Sequence, residues 1–169
     1  LATILSGLRE RKQISMLPKE ERKAYNEAFW SGFKDHMRGK MSSTGRRVNW
    51  ANYPTQVKNT YLRMICTGHQ TAICYDVQFR DSGIQAIFWE QLTELKVVLE
   101  NAMSIPTHWD PSFHNSEGLT IGRISWELAD VNFYEKADWP KIYAFFQKHL
   151  MEFDSFYQEF NDILITLVD

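Results

Sequence analysis

From residue 138 to residue 167 the chain keeps one helical face apolar: Ile142, Phe146, Leu150, Phe153, Tyr157, Phe160, Leu164 and Leu167 recur at three- and four-residue steps. So long a stripe needs an extensive apolar surface to cover it, and the remainder of the chain must supply one. Asp138 suits the N-cap and Pro140 falls in the first turn; a bend is expected near Asp154-Ser155.

Two further segments are helical. Residues 18–37 open on Pro18, where a missing N–H is harmless. They carry Glu20 and Glu21 at the positive helix end and align Tyr25, Ala28, Phe29, Gly32, Phe33, His36 and Met37 on one face. Residues 82–103 align Ile84, Ile87, Phe88, Gln91, Leu95, Val98, Leu99 and Ala102, with Ser82 and Gln85 spaced as a capping box. Elsewhere the period is two. Leu62, Met64 and Cys66 share a face of 60–67, and Ile73, Tyr75, Val77 and Phe79 a face of 70–79; Gly68-His69 joins the two as a hairpin. Residues 107–113 read as a strand, Asn115-Ser116-Glu117-Gly118 as a turn, and 119–128 as a strand with Gly122, Ile124, Trp126 and Leu128 on one face. Val131 and Phe133 have the opposite parity, which requires a bulge or break at Ala129-Asp130.

This order predicts an α+β fold: an antiparallel sheet of four to five strands with about three helices packed mainly on one face. Asp76-Val77-Gln78-Phe79 and Asp130-Val131-Asn132-Phe133 each precede a capped helix, an echo that suggests two strand–strand–helix units. Residues 1–17, short but with Leu1, Ile4, Leu5 and Leu8 at helical spacing, are expected to form an N-terminal arm beside a single domain over 18–169.

Composition narrows the setting. Aromatic residues make up 14% of the chain, enough for a ring-rich core or a ring-lined binding surface. Cys66 and Cys74 lie in apolar strand-like runs and read as buried free thiols rather than a disulfide framework. No apolar run approaches the roughly 20 residues of a membrane span. Arg9, Arg11 and Lys12 follow the first apolar residues instead of preceding them, the reverse of a signal peptide. A cytoplasmic protein with no membrane partner is the expectation.

The catalytic templates fail in turn. His108, Asp110 and His114 cluster, but at no standard metal-ligand spacing, and no metal site is predicted. A metal-dependent nuclease would place an acid two residues before a lysine on a strand; Asp76 is followed by Gln78 and Glu127 by Ala129. Neither a nucleophile elbow nor a phosphate-binding glycine loop is present, so no cofactor is expected. An enzyme whose residues are scattered along the chain stays open as an alternative.

Charge is more informative. Residues 1–63 carry 13 Lys/Arg against 5 Asp/Glu, and residues 64–169 carry 6 against 16, so +8 faces −10. The basic part converges on an irregular loop and its sequel, 38–63, where Arg46, Arg47, Trp50, Tyr53, Lys58 and Arg63 are the candidate binding residues. Cations for phosphates and rings for stacking suit single-stranded nucleic acid. Alternatively the basic part folds back on the acidic part, or meets it in a second subunit. Glu152, Asp154, Glu159 and Asp162 are expected to make the outer face of the last helix acidic, which would suit a homodimer or a basic protein partner.

Phe29-Trp30, Val48-Asn49-Trp50-Ala51-Asn52-Tyr53, Tyr61-Leu62-Arg63-Met64, Gly122-Arg123-Ile124 and Trp139-Pro140 occur in an order that resembles the short bacterial proteins of domain of unknown function 4268, over about residues 20–167. The resemblance implies no assigned activity and no catalytic residues to transfer. Longer relatives join a similar module to nuclease-like domains, which implies a nucleic-acid or defence context. The resulting expectation is a non-catalytic binding or interaction module, with nucleic-acid binding through 38–63 as the first alternative.

Overall fold

The computed structural model describes residues 18–169; the expected arm, 1–17, lies outside them. In chain order the elements are α1 (Lys19–His36), a 3-10 turn (Trp50–Asn52), β1 (Thr60–Cys66), β2 (Thr71–Val77), α2 (Ser82–Glu94), α3 (Lys96–Ala102), β3 (His108–His114), β4 (Thr120–Leu128), a second 3-10 turn (Lys136–Asp138) and α4 (Trp139–Val168). The strands form one antiparallel sheet in the order β1-β2-β4-β3. Each hairpin, β1–β2 and β3–β4, runs into helix, and β2 pairs with β4 at the centre. The expected α+β class and the two strand–strand–helix units are therefore present. The four-residue echo does not mark them, however. Asp76 and Val77 lie within β2, whereas Asp130 to Phe133 follow β4 and begin with a positive φ of 61° at Asp130.

Among the described residues the helices number four because Leu95, at φ −88° and ψ 2°, separates α2 from α3. The cap of α2 is Asp81 rather than Ser82: its carboxylate accepts from Gly83 N at 2.8 Å and Ile84 N at 3.0 Å. A carboxylate placed against the positive helix end is the stronger acceptor. Gln85 instead ties the helix to the sheet, accepting from Phe79 N and donating to Val77 O. Only Phe88, Leu92 and Leu99 of these two helices are buried, together with Leu95 between them, while Ile84, Ile87 and Val98 stay exposed. Asp138 makes no side-chain bond to the end of α4; it is drawn back to accept from Asn132 N at 2.9 Å. Helix α4 runs uninterrupted through Asp154-Ser155.

All the described helices lie on the face carrying Leu62, Tyr75, Ile124 and Trp126. Phe153 and Tyr157 of α4 stack at 5.4 Å and 18° over the sheet centre, with Tyr75 and Trp126 at 5.3 and 5.8 Å from Phe153. A second ring cluster, Phe29, Phe133, Trp139 and Tyr143, fastens α1 to α4, and the Tyr143 hydroxyl donates to Phe29 O at 2.6 Å. The ring excess thus builds the core. No described helix is long and apolar enough to cross a membrane.

The fit of α2 on the sheet depends on Gly122, where an added Cβ would meet Trp89 Cε3 at 2.5 Å. Gly122→Ala should cost about 2 kcal/mol through overpacking, read as a lower urea midpoint. An unchanged midpoint would mean that Trp89 moves aside freely.

Candidate binding groove

Loop 38–58 owes its shape to a carboxylate beneath it. Asp154 is 1% exposed. It accepts from Ser42 Oγ at 2.9 Å, Ser43 N at 2.8 Å, Tyr53 OH at 2.6 Å and Gln158 Nε2 at 3.3 Å. Burial and then the neighbouring Asp154 push the Tyr53 hydroxyl far above its ordinary ionisation. Asp154 therefore does not contribute to an acidic outer face of α4, and Glu152 is engaged by His149 and Ser104; Glu159 and Asp162 remain exposed.

Of the six binding residues picked from sequence, two are anchors. Trp50 and Tyr53 are each 5% exposed, Trp50 Nε1 donates to Lys40 O at 2.9 Å, and neither ring is available for base stacking. Arg46, Arg47 and Lys58 are exposed. Arg63 lies in β1, and with Tyr53 it lines a groove of about 280 Å³ formed by Ala51–Tyr53 on one side and Tyr61–Ile65 on the other.

The floor of that groove is the outer edge of the sheet. At the two ends of the β1–β2 ladder Gln78 N–H donates to Asn59 O at 2.9 Å and Thr67 N–H to Gln70 O at 2.8 Å. Antiparallel pairing alternates, so Tyr61, Arg63 and Ile65 turn their N–H and C=O toward β2, and Leu62 and Met64 turn theirs outward. Among the described residues nothing hydrogen-bonds to those outward groups. The opposite edge is guarded: β3 carries Pro111 and a register shift between Asp110 and Phe113, both devices that block strand addition.

The face next to the groove that carries none of the described helices holds a group that sequence reasoning missed. Asp76, fully buried, accepts from Arg63 Nη1 at 2.7 Å and, bidentately, from Arg123 Nε and Nη2 at 2.8 and 2.9 Å. Arg63 lies over the Tyr61 ring at 4.4 Å and Arg123 over Phe113 at 4.0 Å. The available signal was an arginine in the middle of each of two strands with an aspartate in the strand between, but it needs the register to be read. Arg63 Nη1 also reaches Gln78 Oε1, while its Nε and Nη2 have no partner among the described residues. The other candidates are occupied otherwise. His114 bonds Thr120 Oγ1 and Asp110 accepts from Ser112 N. Among the described residues no group of three or more His, Cys, Asp or Glu is placed to hold a metal. Burial pushes the thiols of Cys66 and Cys74 up to about 11 and about 12, so neither is a thiolate at neutral pH.

A sheet with one clad face, one guarded edge and one grooved edge defines a small α+β module. The family model for DUF4268, a domain of unknown function, matches residues 25–161, and the chain belongs to that family. No curated protein and no solved structure matches it.

Asp154→Ala would leave the buried Tyr53 and Ser42 hydroxyls and the Ser43 N–H without an acceptor. The expected loss is about 3 kcal/mol, with faster amide exchange over 42–53 than in the sheet. Uniform loosening of loop and sheet alike would show that Asp154 does not specifically hold the groove wall.

Proposed function

We propose that the protein is a non-catalytic interaction module of the bacterial cytoplasm, and that it binds a partner chain by adding a strand to the outer edge of β1. The observation that carries this reading is the outward N–H and C=O of Leu62 and Met64 facing a groove. Main-chain groups of that kind seek a strand to pair with. The two free thiols suit a reducing compartment. Nucleic-acid binding through Arg46, Arg47 and Lys58 has less support, because the rings that would stack bases are buried.

A phage-displayed library of random extended peptides tests the reading against wild type and two variants. Met64→Pro removes an outward N–H without touching the β1–β2 ladder. Met64→Ala keeps the N–H and controls for the lost side chain. Selected peptides should bind wild type and Met64→Ala and lose at least ten-fold in affinity for Met64→Pro, with the Leu62 and Met64 amide resonances shifting on binding. No selection, or equal binding to the proline variant, would sink the reading.

A further inference from the structure

Resting on the β1-edge reading, the chemistry of the groove's surroundings identifies its occupant. Residues 39–58, of which Ala51–Tyr53 provide one wall, contain Lys40, Arg46, Arg47 and Lys58 and no Asp or Glu. All four cations are exposed, and among the described residues none is in an ion pair. On the other wall Arg63 still has Nε and Nη2 to offer among the described residues. Its partner Asp76 is shared with Arg123, so one carboxylate answers two guanidiniums. The groove therefore combines main-chain donors and acceptors with Arg63 as its one charged lining residue, and its wall at 51–53 belongs to an acid-free basic loop.

We infer that the occupant is an extended acidic segment of another protein, pairing with Leu62 and Met64 through its backbone and presenting carboxylates to Arg63 and the 39–58 loop. A second copy of this chain is the poorer fit, since pairing β1 with β1 would bring two of these acid-free basic loops side by side. A nucleic-acid strand is also poorer. Phosphates would match the cations but not the outward carbonyls, and Tyr61, the 40% exposed ring in the groove, is already covered by Arg63 at 4.4 Å. Alternate residues of an extended peptide, by contrast, can pair both N–H and C=O with those of Leu62 and Met64.

Three eight-residue probes decide it, each alternating Val and Thr on one face and carrying Glu, Gln or Lys on the other, together with oligo(dT). Titrations use the full chain. The Glu peptide should bind at least ten-fold more tightly than the Gln peptide, with the Lys peptide weakest, and the spread should shrink between 50 and 300 mM salt. Arg63→Gln, in which Arg123 still holds Asp76, should narrow the gap between the Glu and Gln affinities; Met64→Pro should abolish binding of the Glu peptide. Equal affinities for all three peptides, each lost on Met64→Pro, would overturn the acidic occupant and leave the β1 edge standing. No binding by the Glu peptide would overturn the acidic occupant, and the library selection then decides the edge separately. Tighter binding of oligo(dT) than of the Glu peptide, undiminished by Met64→Pro, would overturn both in favour of nucleic acid. A concentration-dependent dimer that Met64→Pro dissolves would overturn the acidic occupant in favour of a second copy.

Discussion

One helical turn of α4, Phe153 to Tyr157, carries the architecture. The rings at its two ends, Phe153 and Tyr157, stack on each other and press on Tyr75 and Trp126 at the sheet centre. Between them Asp154 gathers Ser42, Ser43 and Tyr53. The apolar contact fixes the helix to the sheet, and the polar contact fixes loop 38–58 to the helix. A buried carboxylate with no cation on it is costly unless hydrogen bonds satisfy it. Here they come from residues distant in sequence, so the same bonds that make the charge tolerable hold an otherwise irregular loop in place. The groove wall at Ala51–Tyr53 is a consequence of that arrangement.

Placing every described helix on one face leaves the other face and both edges to manage themselves. On the outer face Ala72, Cys74, Ile121 and Ser125 are buried, and Asp76 is neutralised by two arginines whose planes lie over rings. The β3 edge is broken by Pro111 and its register shift. The β1 edge has neither device. Natural sheets blunt exposed edges, so one unblunted edge in a groove whose wall belongs to a basic loop is the asymmetry a binding surface would require.

Much of this was legible in the sequence, and the exceptions have definite causes. The stripe on α4, the Gly68-His69 hairpin and the alternation through Gly122, Ile124 and Trp126 were readable because burial on one face imposes a period. The end of α2 was not, since Leu95 is apolar and buried and fits a continuous stripe. Asp81 and Ser82 are both capping residues, and only the geometry chooses between them. Trp50 and Tyr53 illustrate the deeper limit: a ring among cations looks the same in sequence whether it faces solvent or reaches down to Lys40 O and Asp154. Nor could local spacing reveal Arg63–Asp76–Arg123, which exists only once three strands are in register.

The split between a basic first part and an acidic remainder takes on a different meaning once the acids are located. Asp76 goes to strand arginines, Asp81 caps α2, Asp138 holds Asn132 N, Glu152 pairs with His149 and Ser104, and Asp154 serves hydroxyls and an N–H. These carboxylates satisfy donors that folding would otherwise strand, and among the described residues none of them forms an ion pair with Lys40, Arg46, Arg47 or Lys58. Near-neutral net charge therefore does not imply local neutrality. The remainder spends its acids on caps and buried bonds, and the loop keeps its positive potential. That potential is screened beyond about 8 Å at physiological ionic strength, so it acts on what comes close to the loop, and the β1 edge lies directly beside it.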